Sequence, residues 1–130
     1  MTVEEAQQAA SDIASRYRVY ECDQCAAAIA KRLGRIVPLI FERLRTSDGS
    51  DIIALVQEGI QISRNKTHVG VRVGDRIYDN LHHDGVPAHE WVHRFAQMDL
   101  LALVHDAQPV STFFRKVFLT RRFRRWSSGA

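Results

Sequence analysis

The stretch His68–Asn80 leaves this chain the fewest choices. His68-Val-Gly-Val-Arg-Val73 alternates, Gly74-Asp75 makes a tight turn, and Arg76-Ile-Tyr-Asp-Asn80 returns. Alternation at period two marks a strand with one buried face, and glycine at the first central position suits a type II′ hairpin. The turn sets the register: Val73 opposes Arg76, Gly70 opposes Asp79, and His68 opposes Leu81. Directly opposed residues share a face, as do residues two apart on one strand. His68 and Asp79 are then diagonal neighbours on one face, about 7–8 Å apart between Cα atoms, and their side chains can meet. Val69, Val71 and Val73 fall on the other face and are expected in the core. Gly70 leaves the histidine's side uncrowded. A slip of one residue would separate His68 from Asp79, so the pairing depends on the turn.

Around this hairpin the pattern predicts helices first and strands afterwards. Val3, Ala6, Ala10, Ile13, Ala14 and Tyr17 recur at helical spacing over residues 3–17, with acids near the start where they suit the helix dipole. Residues 24–33 are alanine-rich, carry Lys31 and Arg32 in the last turn and stop at Gly34, which predicts a short helix starting at or near Cys25. Residues 35–41 and 51–57 are apolar and β-branched and read as strands, with a loop at Thr46–Ser50. After a turn at Leu81–Gly85, Pro87 suits the first position of a helix. Trp91, Phe95, Met98 and Leu101 are spaced for the buried face of one helix running from Pro87 to Val104. The class expected is α+β, with N-terminal helices packed on a small antiparallel sheet.

At 130 residues the chain has the size of one domain and can bury a core without disulfides or a structural metal. It has no apolar run near the ~20 residues that span a bilayer. Glu4 and Glu5 stand where a signal peptide needs basic residues, so no signal peptide is expected. The charge is uneven. Phe113–Trp126 holds Arg115, Lys116, Arg121, Arg122, Arg124 and Arg125 without an acid, leaving 12 of the 18 basic residues against all 15 acidic ones elsewhere. We therefore expect a domain at residues 1–107 and a basic, aromatic, helical extension at 108–130. Phe113, Phe114, Val117, Phe118 and Phe123 interleave with the basic residues. Such a segment suits an anionic membrane, nucleic acid or an acidic partner, or packs its aromatics on the core and leaves its arginines in water.

Two cysteines, Cys22 and Cys25, form a C-x-x-C pair. A thioredoxin-like redox role wants the pair after a strand in a βαβ unit, whereas here a helix precedes it. A zinc role could add His89 and His93, but the halves lie far apart for a zinc finger. Both cysteines could also be small buried hydrophobes. The third possibility is catalytic. A cysteine at a helix N-terminus feels the helix dipole, which favours the thiolate, and needs an imidazole that a third group orients. Cys25, His68 and Asp79 supply those three types.

The sequence resembles the papain-fold toxin domains found at the C-termini of bacterial polymorphic toxins. The resemblance runs through Tyr20-Glu-Cys-Asp-Gln-Cys-Ala26, Ile62-Ser-Arg-Asn-Lys-Thr-His68-Val-Gly-Val71, Ile77-Tyr-Asp-Asn-Leu-His-His-Asp-Gly-Val86 and Glu90-Trp91, and covers about residues 15–98. It implies a reduced papain-like fold and a Cys–His–Asp triad, with Cys25 matching the nucleophile, His68 the general base and Asp79 the orienting acid. Cys22 matches a structural cysteine before the nucleophile. Asn80, His82, Gly85 and Trp91 match the segment after the acid, as loop-shaping and packing residues. The glutamine that papain-like enzymes place upstream of the nucleophile has no counterpart at that spacing. Gln24 and the backbone N–H of Cys25 are the oxyanion candidates. Pro87 replaces a capping residue.

The resemblance further implies a cysteine hydrolase without a cofactor or a metal, acting as peptidase, deamidase or transglutaminase on a protein of a target cell. It implies delivery by a bacterial secretion system as part of a larger toxin, action in the target-cell cytoplasm, and a cognate immunity protein. No nucleic-acid-binding motif accompanies the tail, so nucleic acid is not an expected partner. Membrane or acidic-surface contact through residues 113–126 stays open. The competing expectations are a non-catalytic binding module whose basic tail is the active element, and a zinc-stabilised domain.

Overall fold

The computed structural model describes residues 1–47, 53–55, 61–63, 66–97, 103–114 and 121–129. Two helices open the chain, α1 (Val3–Ala14) and α2 (Cys22–Leu33). The strands are β1 (Ile40–Arg45), β2 (Ile53–Leu55), β3 (Gln61–Ser63), β4 (Thr67–Val73), β5 (Arg76–Tyr78), β6 (Val86–Pro87), β7 (Phe95–Gln97) and β8 (Val104–Pro109). A short helix α3 (Ala88–Trp91) and a 3-10 turn (Val92–Arg94) lie between β6 and β7. A second 3-10 turn (Val110–Phe113) follows β8, and α4 (Arg121–Ser127) comes last. Five strands form one sheet in the order β6-β5-β4-β1-β8, every pair antiparallel. A smaller sheet has the order β3-β2-β7. No helix among the described residues is long and apolar enough to cross a membrane.

Alternation along the strands divides the core in two. Phe41, Val69, Val71, Val73 and Tyr78 face the N-terminal helices, which meet them with Ala6, Ala10, Ile13, Ala14, Cys25, Ala26, Ile29, Ala30 and Leu33. The alanines are small enough to let the helices approach the sheet and each other closely. A capping box at Thr2 and Glu5 starts α1 by satisfying two of its free backbone donors. On the opposite face, Leu44, Ile53, Ile62, Ile77, Val86, Trp91 and Phe95 make the second cluster. The fold is thus α+β, with the N-terminal helices packed on an antiparallel sheet, consistent with a papain-like fold.

The segment after Ala107 contributes to both sheet and core. Residues 108 and 109 complete β8, and Phe113 and Phe123 are buried in the helix-side cluster. Arg43 of β1 lies beneath Trp126, 4.5 Å from its ring centroid, and bonds both Asp106 and the Trp126 carbonyl. Arg121, Arg122, Arg124 and Arg125 are exposed. The predicted tail positions Arg115, Lys116, Val117 and Phe118 lie outside the described residues.

Three sequence expectations need correction. The helix expected from Pro87 to Val104 is a single turn, Ala88–Trp91, and a 3-10 turn. Phe95 then turns extended (φ −124°, ψ 152°), and β7 pairs Phe95, Ala96 and Gln97 with Leu55, Ala54 and Ile53. Trp91 and Phe95 are both buried, as their spacing demands, but a helical turn followed by a strand satisfies that spacing equally well. Met98 and Leu101 lie outside the described residues. The first strand starts at Ile40, not at residue 35, because the backbone turns over residues 34–36 and Pro38 precedes the ladder. Of the strand expected at 51–57, β2 accounts for Ile53–Leu55, and the rest lies outside the described residues. Finally, α2 begins at Cys22, three residues before the expected start. Tyr20, with φ +70°, redirects the chain, and Glu21 is the N-cap.

Candidate active site

The hairpin has the expected register. Val73 pairs with Arg76, Arg72 with Ile77 and Val71 with Tyr78. Gly74 has φ +64° and Asp75 a negative φ, as a type II′ turn requires. One step beyond β5, Asp79 comes level with Gly70, on the face that carries His68. The two side chains meet: His68 Nε2 lies 2.9 Å from Asp79 Oδ2, and both residues are buried.

Asp79 is held on both oxygens. Oδ1 accepts the backbone N–H groups of Leu81 (2.9 Å) and His82 (2.7 Å) and faces His82 Nδ1 at 2.9 Å. Oδ2 accepts the Trp91 indole N–H at 2.9 Å besides facing His68. Trp91 also stacks beside His68, with ring centroids 5.8 Å apart and planes 27° apart, and Phe95 packs against both rings, 4.8 Å from His68 and 5.4 Å from Trp91. Gly70 makes room for the indole. A Cβ there would lie 3.1 Å from Trp91 Cζ2 and 2.8 Å from Ile77 Cγ2.

This enclosure sets the charge state. Burial pushes the Asp79 carboxyl upward, but its hydrogen bonds with His68 and then His82 hold it far below the usual carboxylate range. Burial alone would lower His68. The hydrogen bond to Asp79, followed by the interaction with Cys22, outweighs it and holds the imidazole up to about 10. His68 is therefore an imidazolium at neutral pH, paired with a carboxylate.

The cysteine that His68 senses is Cys22. With Nε2 committed to Asp79, the open nitrogen of the ring is Nδ1, which is buried and has no partner at hydrogen-bond distance among the described residues. Cys22 is the first residue of α2, with a sliver of exposure at 7%, and its Sγ lies 3.7 Å from Asp23 Oδ1. Burial raises Asp23, while Cys22, Ser127 and His68 pull it the other way. Asn80 fixes this end of the helix to the hairpin, because its side-chain amide donates to the Arg18 carbonyl at 2.7 Å. Thr67, beside His68, donates its hydroxyl to the Ser127 carbonyl at 2.5 Å, which brings the end of α4 to the same neighbourhood.

Cys25 makes no hydrogen bond to His68 or Asp79. It is fully buried among the alanines of the helix-side core. Burial first, then the charges of Asp79, Cys22 and Glu21, push its thiol far above the ordinary cysteine range. Its backbone N–H, expected to be free for an oxyanion, donates to the Glu21 carbonyl at 3.0 Å. Because α2 starts at Cys22, the donors without intrahelical acceptors are those of Cys22, Asp23 and Gln24. The Gln24 side chain is exposed. The sequence did carry a warning: Cys25, Ile29 and Leu33 stand four apart, so Cys25 belongs to the buried stripe of its own helix. The zinc constellation does not assemble. The His89 side chain is 82% exposed while the cysteines are buried, and no metal-competent group of three or more His, Cys, Asp or Glu occurs among the described residues.

A thiol at a helix start, an imidazole and a buried carboxylate, in that order, are the parts of a nucleophilic acyl-transfer site. The comparison with known families agrees with this class. Residues 5–96 match the papain fold toxin 2 family, and the chain belongs to that family. No curated protein and no solved structure matches the chain.

Proposed function

We propose that this domain is a cysteine hydrolase of toxin type that opens an amide bond in a protein of a target cell, with Cys22 as nucleophile, His68 as general base and acid, and Asp79 as the orienting group. The observation that carries the proposal is the buried His68–Asp79 hydrogen bond, with the remaining ring nitrogen unpartnered and Cys22 at a helix N-terminus acting on the imidazole. Cys22 takes the role that sequence spacing gave to Cys25, because Cys25 is committed to the core.

In the proposed reaction Cys22 acts as a thiolate paired with the His68 imidazolium, whose Nδ1 carries the proton, and Sγ attacks the carbonyl carbon. The resulting oxyanion is stabilised by unpaired N–H groups of the first turn of α2. The intermediate collapses as His68 gives its proton to the leaving amine, leaving a thioester. Water then attacks with His68 as base, which frees the acid and restores the thiolate–imidazolium pair. Asp79 keeps Nε2 engaged throughout and so aims Nδ1 at the sulfur. A main-chain leaving amine makes the enzyme a peptidase, and ammonia from a glutamine side chain makes it a deamidase. An amine acceptor in place of water makes it a transglutaminase.

Family membership supports the wider setting: delivery into a neighbouring cell within a larger secreted toxin, and a cognate immunity protein in the producer. The exposed arginines of α4 are suited to an acidic surface on that immunity protein. The test is growth arrest when the domain is expressed in the cytoplasm of a bacterial host. Wild type and Cys25→Ala are expected to arrest growth, and Cys22→Ala and His68→Ala to permit it at equal protein levels. Arrest by Cys22→Ala together with growth of Cys25→Ala would overturn the choice of nucleophile.

A further inference from the structure

The C-x-x-C pair has a second use that the hydrolytic mechanism leaves idle. We propose that Cys22 and Cys25 form a reversible disulfide within the first turn of α2, which withdraws the nucleophile under oxidising conditions and returns it on reduction. The inference rests on Cys22 being the nucleophile. Both thiols are free in this structure.

The placement is what a dithiol switch needs. Cys22 is the first residue of the helix and Cys25 the fourth. Ordinary helix parameters put Cα atoms three residues apart at about 5 Å. Disulfides span Cα separations of about 4.4–6.8 Å, so the bridge closes with only a tightening of one turn. The two sulfurs also have unequal surroundings. Cys22 is slightly exposed beside an imidazolium, whereas Cys25 is wholly buried. Only Cys22 can meet a reagent from outside, and Cys25 can reach only Cys22.

The chemistry balances with a low-molecular-weight disulfide such as oxidised glutathione. The Cys22 thiolate attacks one glutathione sulfur, making a Cys22–glutathione mixed disulfide and releasing one glutathione thiolate. Cys25 then loses its proton, attacks Cys22 Sγ and expels the second glutathione. One glutathione disulfide is reduced to two thiols, and two protein thiols are oxidised to one bridge. Burial makes Cys25 a reluctant thiolate, but an attacker one helical turn away works at an effective concentration no outside thiol matches. An oxidising compartment would thus hold the domain inactive, and a reducing cytosol would free Cys22.

The experiment treats the folded domain with oxidised glutathione and reads the tryptic peptide of residues 19–31, which holds both cysteines, by mass spectrometry. Wild type is expected to give a peptide two hydrogens lighter, with iodoacetamide labelling of Cys22 lost and fully restored by dithiothreitol. Cys25→Ala is expected to stop at the glutathione adduct on Cys22. A wild-type peptide that keeps the adduct with Cys25 free, or that does not react, would overturn the switch. Should Cys25→Ala fail to fold, titration of wild type alone against glutathione redox buffers decides between bridge and no bridge through the fraction oxidised. Labelling of the reduced protein with and without His68→Ala reports separately on the nucleophile. His68-dependent labelling without a bridge rejects the switch alone, and labelling of Cys22 that ignores His68 rejects the catalytic reading.

Discussion

Asp79 is the residue on which the site turns. It collects the hydrogen bonds of two imidazoles, an indole and two backbone amides, and it is almost wholly shielded from water. A carboxylate so satisfied stays charged, and its charge keeps His68 protonated. The pair should therefore shape stability against pH. The His68 contribution is complete below its ordinary pKa of 6.5 and is lost as pH rises through about 10. The Asp79 contribution is present above its ordinary value of 3.8 and is lost in more acid solution. Thermal melts are expected to peak between about pH 4 and pH 6.5 and to fall on both sides. In Asp79→Asn the main support of the cation is gone and burial is opposed only by Cys22, so the fall of stability on the alkaline side should shrink. Parallel profiles for the two proteins would show that the pair carries no linkage.

Among the elements, the hairpin was the most legible in sequence and the segment after it the least. Gly74-Asp75 fixed a register, and the register alone placed His68 beside Asp79. Gly70 belongs to the same design, because the Trp91 indole lies against its bare Cα face. Gly70→Ala should displace Trp91 from Asp79 and cost about 1–3 kcal/mol, the usual penalty of overpacking. Denaturant unfolding followed by tryptophan fluorescence would measure it, and wild-type stability with an unshifted spectrum would contradict the packing argument. Trp91 as a donor to Asp79 was not legible, since spacing put it on the buried face of a long helix. That helix gave way to β7 because two apolar residues four apart do not distinguish a helix from one turn joined to a strand. The place of Cys22 at the helix start was hidden by a difference of three residues in the start of α2. A helix beginning at Cys25 would present that thiol at its mouth, whereas one beginning at Cys22 carries Cys25 a full turn inward.

At the scale of the molecule, the two faces of the sheet are covered differently, and α2 carries Cys22 on the helix side. One face receives the alanine-rich helices, and the other carries Trp91, Phe95 and the His68–Asp79 pair. The family match ends at residue 96, yet β8, Phe113 and Phe123 complete the sheet and core beyond it. Helix order and the antiparallel sheet could be read from periodicity, because each element buries a face of its own. Contacts such as Thr67 with Ser127 join segments whose sequences say nothing of each other.

The most direct test of the proposed nucleophile is the rate of iodoacetamide alkylation of the native, reduced protein against pH, read separately at Cys22 and Cys25, in wild type and His68→Ala. Cys22 is expected to react much faster than Cys25 near neutral pH. His68→Ala is expected to remove this reactivity, and Cys25 to stay inert in both proteins. Fast labelling of Cys25, or labelling of Cys22 that is indifferent to His68, would contradict the assignment.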